Sequence, residues 1–282
     1  MRPFPVLGSV LLLAACGGPL PEEFAPGMFC GVGDDVKLPP GTSAPIVDGT
    51  GTWTGPIVNG DPDPDPAVAD LTAAEQNAVG ALVDRWGGGN FCTGTLIGDN
   101  AILTAGHCVA GRGAGEFDFA VGPDSAAPLH RFRLSAVHTN PLWDGFSAAH
   151  DSAVGVLEGL ASEDFPPVTP IEINDSPLER LDPAFVGHDV QNVGYGATNP
   201  SGGSNTRRWL TVEEIAELGR ADYTTWGGGT SAVCWGDSGS PGLVTFPDGV
   251  VRVVGTLNGG DPDCVSYDHW ARTDVDATWI AS

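Results

Sequence analysis

Glycine occupies 41 and proline 24 of the 282 positions, and nothing else in the sequence limits the fold as strongly. A glycine inside a helix costs about 1 kcal/mol relative to alanine and a proline about 3 kcal/mol. Long helices do not survive that composition. The apolar runs between the breaks are short, such as "AILTA" from Ala101 and "SAVGVL" from Ser152. Short apolar runs bounded by turn residues read as strands, so the composition suits many short strands joined by turns better than long helices. Hydrophobic residues make up 41% of it, enough for a sizeable core. No internal repeat of solenoid or propeller period is visible.

The formal charge is −24, from 12 basic against 36 acidic residues. Lys37 is the only lysine. Such a surface repels phosphate backbones, which argues against nucleic acid as a partner. Solubility is the plainer use of so many acids.

The N-terminus, "MRPFPVLGSVLLLAAC", has one arginine and then an apolar run ending in small residues. That is the shape of a secretory signal, and the run is too short to span a bilayer as a helix. "LAAC" also resembles the lipobox of bacterial lipoproteins, which implies a signal peptide at 1–15 and a lipid on Cys16 as membrane anchor. Gly17 rather than Asp after the cysteine suggests the outer membrane. The alternative is an ordinary signal peptide with Cys16 incidental. Residues 16–56 have few large apolar side chains and cannot offset chain entropy by burial; they read as a disordered tether and pro-segment. "DPDPDP" from Asp61 looks like a calcium loop, but Pro66 and Thr72 stand where the sixth-position Gly and twelfth-position Glu belong.

"CWGDSGSPGL" sets Ser238 among small residues after Asp237. A surface turn accounts for those residue types. So does a nucleophile, provided that a base and an orienting acid exist elsewhere. Of six histidines, His107 follows the strand-like "AILTA" and directly precedes Cys108. Cys92 lies upstream in the same run, "FCTGTLIGDNAILTAGHC". An exported chain permits a Cys92–Cys108 disulfide, which at that loop length is worth about 3 kcal/mol in the chain-entropy picture. Asp151 opens the run "SAVGVL". At the mouth of a buried strand it needs a hydrogen-bond partner; an imidazole N–H would serve, and so would a strand-end cap.

"TAGHC", "HDSAVGVL" and "GDSGSP", in that order, resemble the chymotrypsin/trypsin family of serine endopeptidases. The order separates it from α/β-hydrolases, and Ser240 breaks their G-x-S-x-G elbow. The resemblance covers about residues 57 to 282. It implies two six-stranded antiparallel β-barrels with a short C-terminal helix, "TWIAS" resembling that helix cut short. It implies catalysis by His107, Asp151 and Ser238 without a cofactor or metal, and an oxyanion hole from the N–H groups of Gly236 and Ser238. "IVNG" resembles the family's mature N-terminus. The amine of Ile57, freed by an activating protease, would then pair with Asp237. "VVGTLNGGDPDC" resembles the substrate-binding strand followed by the cysteine, Cys264, that bridges to Cys234. The substrate would be a protein or peptide.

Several residues depart from the family. Ala232 stands at the expected pocket floor, six residues before Ser238, where trypsin has the Asp that selects lysine or arginine. Trp235 is expected at the pocket entrance, Gly259 or Gly260 on its wall, and Asn258 where relatives carry serine. This uncharged floor favours apolar side chains on the acyl side of the cut, unless Asp268 reaches in from the wall. The activation junction follows Pro56, which trypsin-like activators do not cut; "IVDG" at Ile46 follows Pro45 and lies further from His107. Cys30 has no evident partner. Two other functions fit the same residues: a catalytically idle surface-binding module, and an esterase.

Overall fold

A computed structural model of the chain describes residues 61–62, 69–181, 185–198, 206–229 and 232–282. The fold is all-β apart from short helical turns and one C-terminal helix, the class that the family resemblance implies. Six strands close the first barrel: β1 (Val79–Asp84), β2 (Asn90–Gly98), β3 (Ala101–Thr104), β4 (Phe117–Val121), β5 (His130–Thr139) and β6 (Ala153–Leu157). Their order around it is β1-β2-β3-β6-β5-β4, with β4 pairing back onto β1. "AILTA" and "SAVGVL" supply β3 and β6. These two strands pair antiparallel, Thr104 opposite Ala153. His107 and Asp151, just beyond the paired ends, are thereby neighbours.

The second barrel consists of β7 (Asp189–Gly194), β8 (Trp209–Leu218), β9 (Asp222–Trp226), β10 (Pro241–Thr245), β11 (Val251–Gly260) and β12 (Tyr267–Arg272). It runs β7-β8-β9-β12-β11-β10 and closes through β10 on β7. Two short segments add to its rim: Asp61–Pro62 against β8, and Glu172–Ile173 parallel to β11. The helix α1 (Thr273–Ile280) follows directly on β12. It begins well before "TWIAS", whose first three residues form only its end. A β12 residue, Arg272, is its N-cap in extended conformation.

Each barrel is filled by the inward residues of its strands. Leu82, Leu96, Ile102, Leu103, Phe119 and Phe132 are buried in the first, and Val190, Ile215, Tyr223, Val254 and Trp270 in the second. Tyr195, just past β7, packs instead with the first barrel's core, and its hydroxyl donates to the Gly122 carbonyl at 2.6 Å. One aromatic side chain thus ties the barrels together beside the cleft that holds the site.

Candidate active site

His107 sits in a single helical turn, Gly106–Val109, directly after β3. Asp151 lies in the turn before β6 and is fully buried. Its carboxylate grips His107 at two points. Oδ1 accepts the backbone N–H of His107 at 2.8 Å, and Oδ2 lies 2.6 Å from ring Nδ1. Two-point contact fixes both the position and the rotation of the imidazole, and leaves Nε2 facing away from the acid. Neighbouring Cys108 is bridged to Cys92. Its sulfur lies 3.8 Å from Nε2 of His107 and 3.6 Å from the carbonyl oxygen of Ser238. His107 and Ser238, distant in sequence and on different barrels, therefore meet over one disulfide.

Thr93, the residue after Cys92, holds the serine loop. Its N–H donates to the Ser238 carbonyl at 2.8 Å and its hydroxyl to the Gly236 carbonyl at 3.2 Å. The same hydroxyl accepts from Tyr195 N–H at 3.2 Å. The loop's glycines follow from this close approach. Gly236 (φ +95°) and Gly239 (φ +81°) adopt backbone conformations that L side chains rarely take, and a Cβ on Gly239 would lie 2.4 Å from the Thr93 carbonyl oxygen. The Trp235 carbonyl accepts the Ala197 N–H. In a trans peptide this turns the Gly236 N–H to the opposite side, away from Ala197.

The family model described as "Trypsin" matches residues 70–280. The chain belongs to the trypsin family. "Trypsin 5G1" of Aedes aegypti is 28% identical over 173 residues, covering 55% of this chain and 62% of its own length. The chain thus spans less than two thirds of that relative.

Seen as a trypsin-family fold, the region around the triad candidates contains parts that the sequence motifs did not show. Asn258 was expected at the specificity pocket. Its amide instead donates to Asp151 Oδ2 at 2.6 Å, so its side chain supports the buried acid. The residues flanking Asp151 are tied to α1. His150 Nδ1 lies 2.6 Å from Asp276 Oδ1, and Ser152 Oγ donates to Asp276 Oδ2 at 3.2 Å. His150 reaches this contact in a left-handed conformation, φ +63°.

Asp237 is fully buried. Oδ1 accepts from Gly196 N–H at 2.7 Å and Oδ2 from Cys234 N–H at 2.9 Å. Burial outweighs these two bonds and pushes its pKa up to about 7. Ile57, Ile46, Cys16 and Cys30 lie outside the described residues, as do the signal and the tether.

A pocket opens beside Ser238 between the 233–235 segment and the end of β11. It is a small cleft that opens to solvent. Trp235, Gly259 and Gly260 line it, and Cys234, bridged to Cys264, anchors its rim. Ala232, expected as its floor, is fully buried, and the lining is taken by neighbouring Val233 instead. Asp268 reaches the pocket from β12. The one three-residue group with metal-ligand types is Cys92, His107 and Cys108 among the described residues. Its two sulfurs are bonded to each other, so it offers no thiolate for a cation.

Proposed function

We propose that the chain is a serine endopeptidase acting through an acyl-enzyme, with its catalytic domain at 57–282. Ser238 Oγ attacks the scissile carbonyl. His107 Nε2 takes the serine proton and returns it to the leaving amine. Asp151 holds the imidazole in the tautomer with Nδ1–H and stabilises its charged form. The N–H groups of Gly236 and Ser238 receive the developing oxyanion. The two-point grip of Asp151 on His107 carries this reading, because a binding module has no use for an imidazole so fixed. Protein and peptide chains are the substrates. Val233 and the glycines around the pocket favour apolar side chains on the acyl side of the cut.

The same proposal includes export and a zymogen. Both disulfides suit an oxidising compartment. The signal-like N-terminus adds cleavage before Cys16 and attachment to the cell envelope by a lipid there. Cleavage before Ile57 by an activating protease gives Asp237 its partner.

Labelling with a fluorophosphonate tests nucleophile, base and oxyanion hole together. The processed protein should label, and Ser238→Ala should not. Equal labelling of both would sink the assignment.

Asn258 acts here as a positioning residue for Asp151. Asn258→Ala is expected to lower kcat/KM about 10- to 100-fold, since a hydrogen bond to a charged group is worth about 1.5–3 kcal/mol. Asn258→Ser should recover part of the loss, and KM should move less than kcat. An Asn258→Ala enzyme with undiminished kcat would show that His107 alone holds the acid.

A further inference from the structure

The pocket beside Ser238 does not end in apolar surface. Asp268 lines it and is fully buried. Behind it stands a second carboxyl, Glu213 of β8, only 2% exposed. Glu213 is well supplied with donors. Oε1 accepts from Asn192 Nδ2 at 3.1 Å and from Val233 N–H at 3.3 Å, and Oε2 accepts from Thr225 Oγ1. That hydroxyl in turn accepts Trp270 Nε1–H at 2.9 Å. Asp268 Oδ2 shares the same Val233 N–H at 3.3 Å, which sets the two buried carboxyls side by side. Asp268 Oδ1 is buried with no hydrogen-bond partner, against the α-carbon of Gly260 on the pocket wall.

Two buried carboxyls placed side by side cannot both ionise without a large cost, so the pair holds one proton. Glu213, with its three donors, is the better place for the charge, so the proton resides on Asp268. Burial and the Glu213 charge hold Asp268 well above the usual carboxylate range, and Asp237 adds to this. Asp261 is the other charged residue lining the pocket, and no lysine or arginine lines it among the described residues.

Resting on the endopeptidase reading above, we propose that the Glu213–Asp268 pair sets the specificity of the pocket, admitting Lys and Arg side chains by exchanging its one proton for the substrate's cation. With the proton in place, Asp268 presents an uncharged group and the pocket takes uncharged side chains. When a guanidinium or ammonium enters, the Asp268 O–H ionises and the proton goes to solvent. The pair passes from −1 to −2, and the bound cation returns the total to −1. Preference for basic over apolar residues therefore grows as pH rises.

Benzamidine, a small amidinium, is the direct probe. Its binding to the processed protein, followed by calorimetry in two buffers of different ionisation heat, should release protons, at most one per benzamidine bound. Asp268→Asn should release none. The ratio of kcat/KM for an arginyl over a leucyl anilide should rise with pH, by at most about tenfold per pH unit. Glu213→Gln keeps the hydrogen-bond geometry but removes the like charge, so it should move this rise to lower pH. The wild-type proton count and Glu213→Gln decide the matter even where Asp268→Asn does not fold. Benzamidine binding without proton release, no benzamidine binding, or a ratio flat with pH would each overturn the proposal. Leucyl-anilide cleavage and fluorophosphonate labelling serve as the control, because their loss speaks against the endopeptidase reading and not against the pocket.

Discussion

Ser238→Ala is expected to lower kcat/KM by a factor on the order of 10⁶, leaving only what the oxyanion donors and substrate binding supply. The fold should not change. The bonds that hold the loop to the first barrel use the carbonyls of Ser238 and Gly236, which accept from Thr93, and the substitution leaves both in place. Ser240 is the contrasting control within the same motif. It is fully buried, and its hydroxyl has no hydrogen-bond partner. Ser240→Ala should therefore leave kcat/KM within about threefold of wild type and change stability little. Steady-state rates on one peptide anilide, with thermal melts of both variants, check the pair. A Ser238→Ala protein that keeps a tenth of the activity, or a Ser240→Ala protein that loses nearly all of it, would overturn the choice of nucleophile.

The second large effect concerns activation. Uncut protein is expected to be nearly inactive, and active protein should begin at Ile57 by N-terminal sequencing. The physical reason lies in Asp237. Its pKa rises from 3.8 to about 7 on burial. Between those values the folded state binds more protons than the unfolded state. Stability is therefore greatest at low pH and falls as pH rises through this window, by about 4 kcal/mol in all. A free amine brought to Asp237 lowers that pKa and removes the loss. Urea melts should show the uncut form losing stability from about pH 4 to about pH 7 and the cut form much less affected. Identical pH dependence in the two forms, or full activity with residues 46–60 unbroken, would exclude this mechanism.

The three motifs were legible because each is a short run whose chemistry lies next to a strand end. "AILTA" and "SAVGVL" became β3 and β6, and their pairing brings His107 to Asp151. What escaped was held by barrel closure. Thr93 looks like any residue after a cysteine, and only the approach of the two barrels sets it against the serine loop. Glu213 was harder still. In "TVEEIAEL" the alternation that turns Ile215 inward also turns Glu213 inward and Val212 outward, against the hydropathy of both. The structure has Val212 45% exposed and Glu213 2%. The pairing of Thr211 with Asn192 fixes that register, and a one-residue slip would reverse every side chain. A charged residue on the inward face of a central strand is a local inconsistency of the kind expected at functional sites. Asn258 was noticed, but its direction was misjudged because a bulge between Leu257 and Gly259 interrupts β11 at that point.

The tie from His150 and Ser152 to Asp276 also bears on the order in which the protein is made. Both neighbours of Asp151 are held by a carboxylate on α1, the helix that follows all twelve strands. Ile280 of that helix is buried in the core cluster to which both barrels contribute, and Trp279 packs against it. The ribosome therefore delivers His107 and Asp151 early, and their final support only after both barrels have been synthesised. The surroundings of Asp151 are therefore complete only once the segment that follows the second barrel has folded back beside the first.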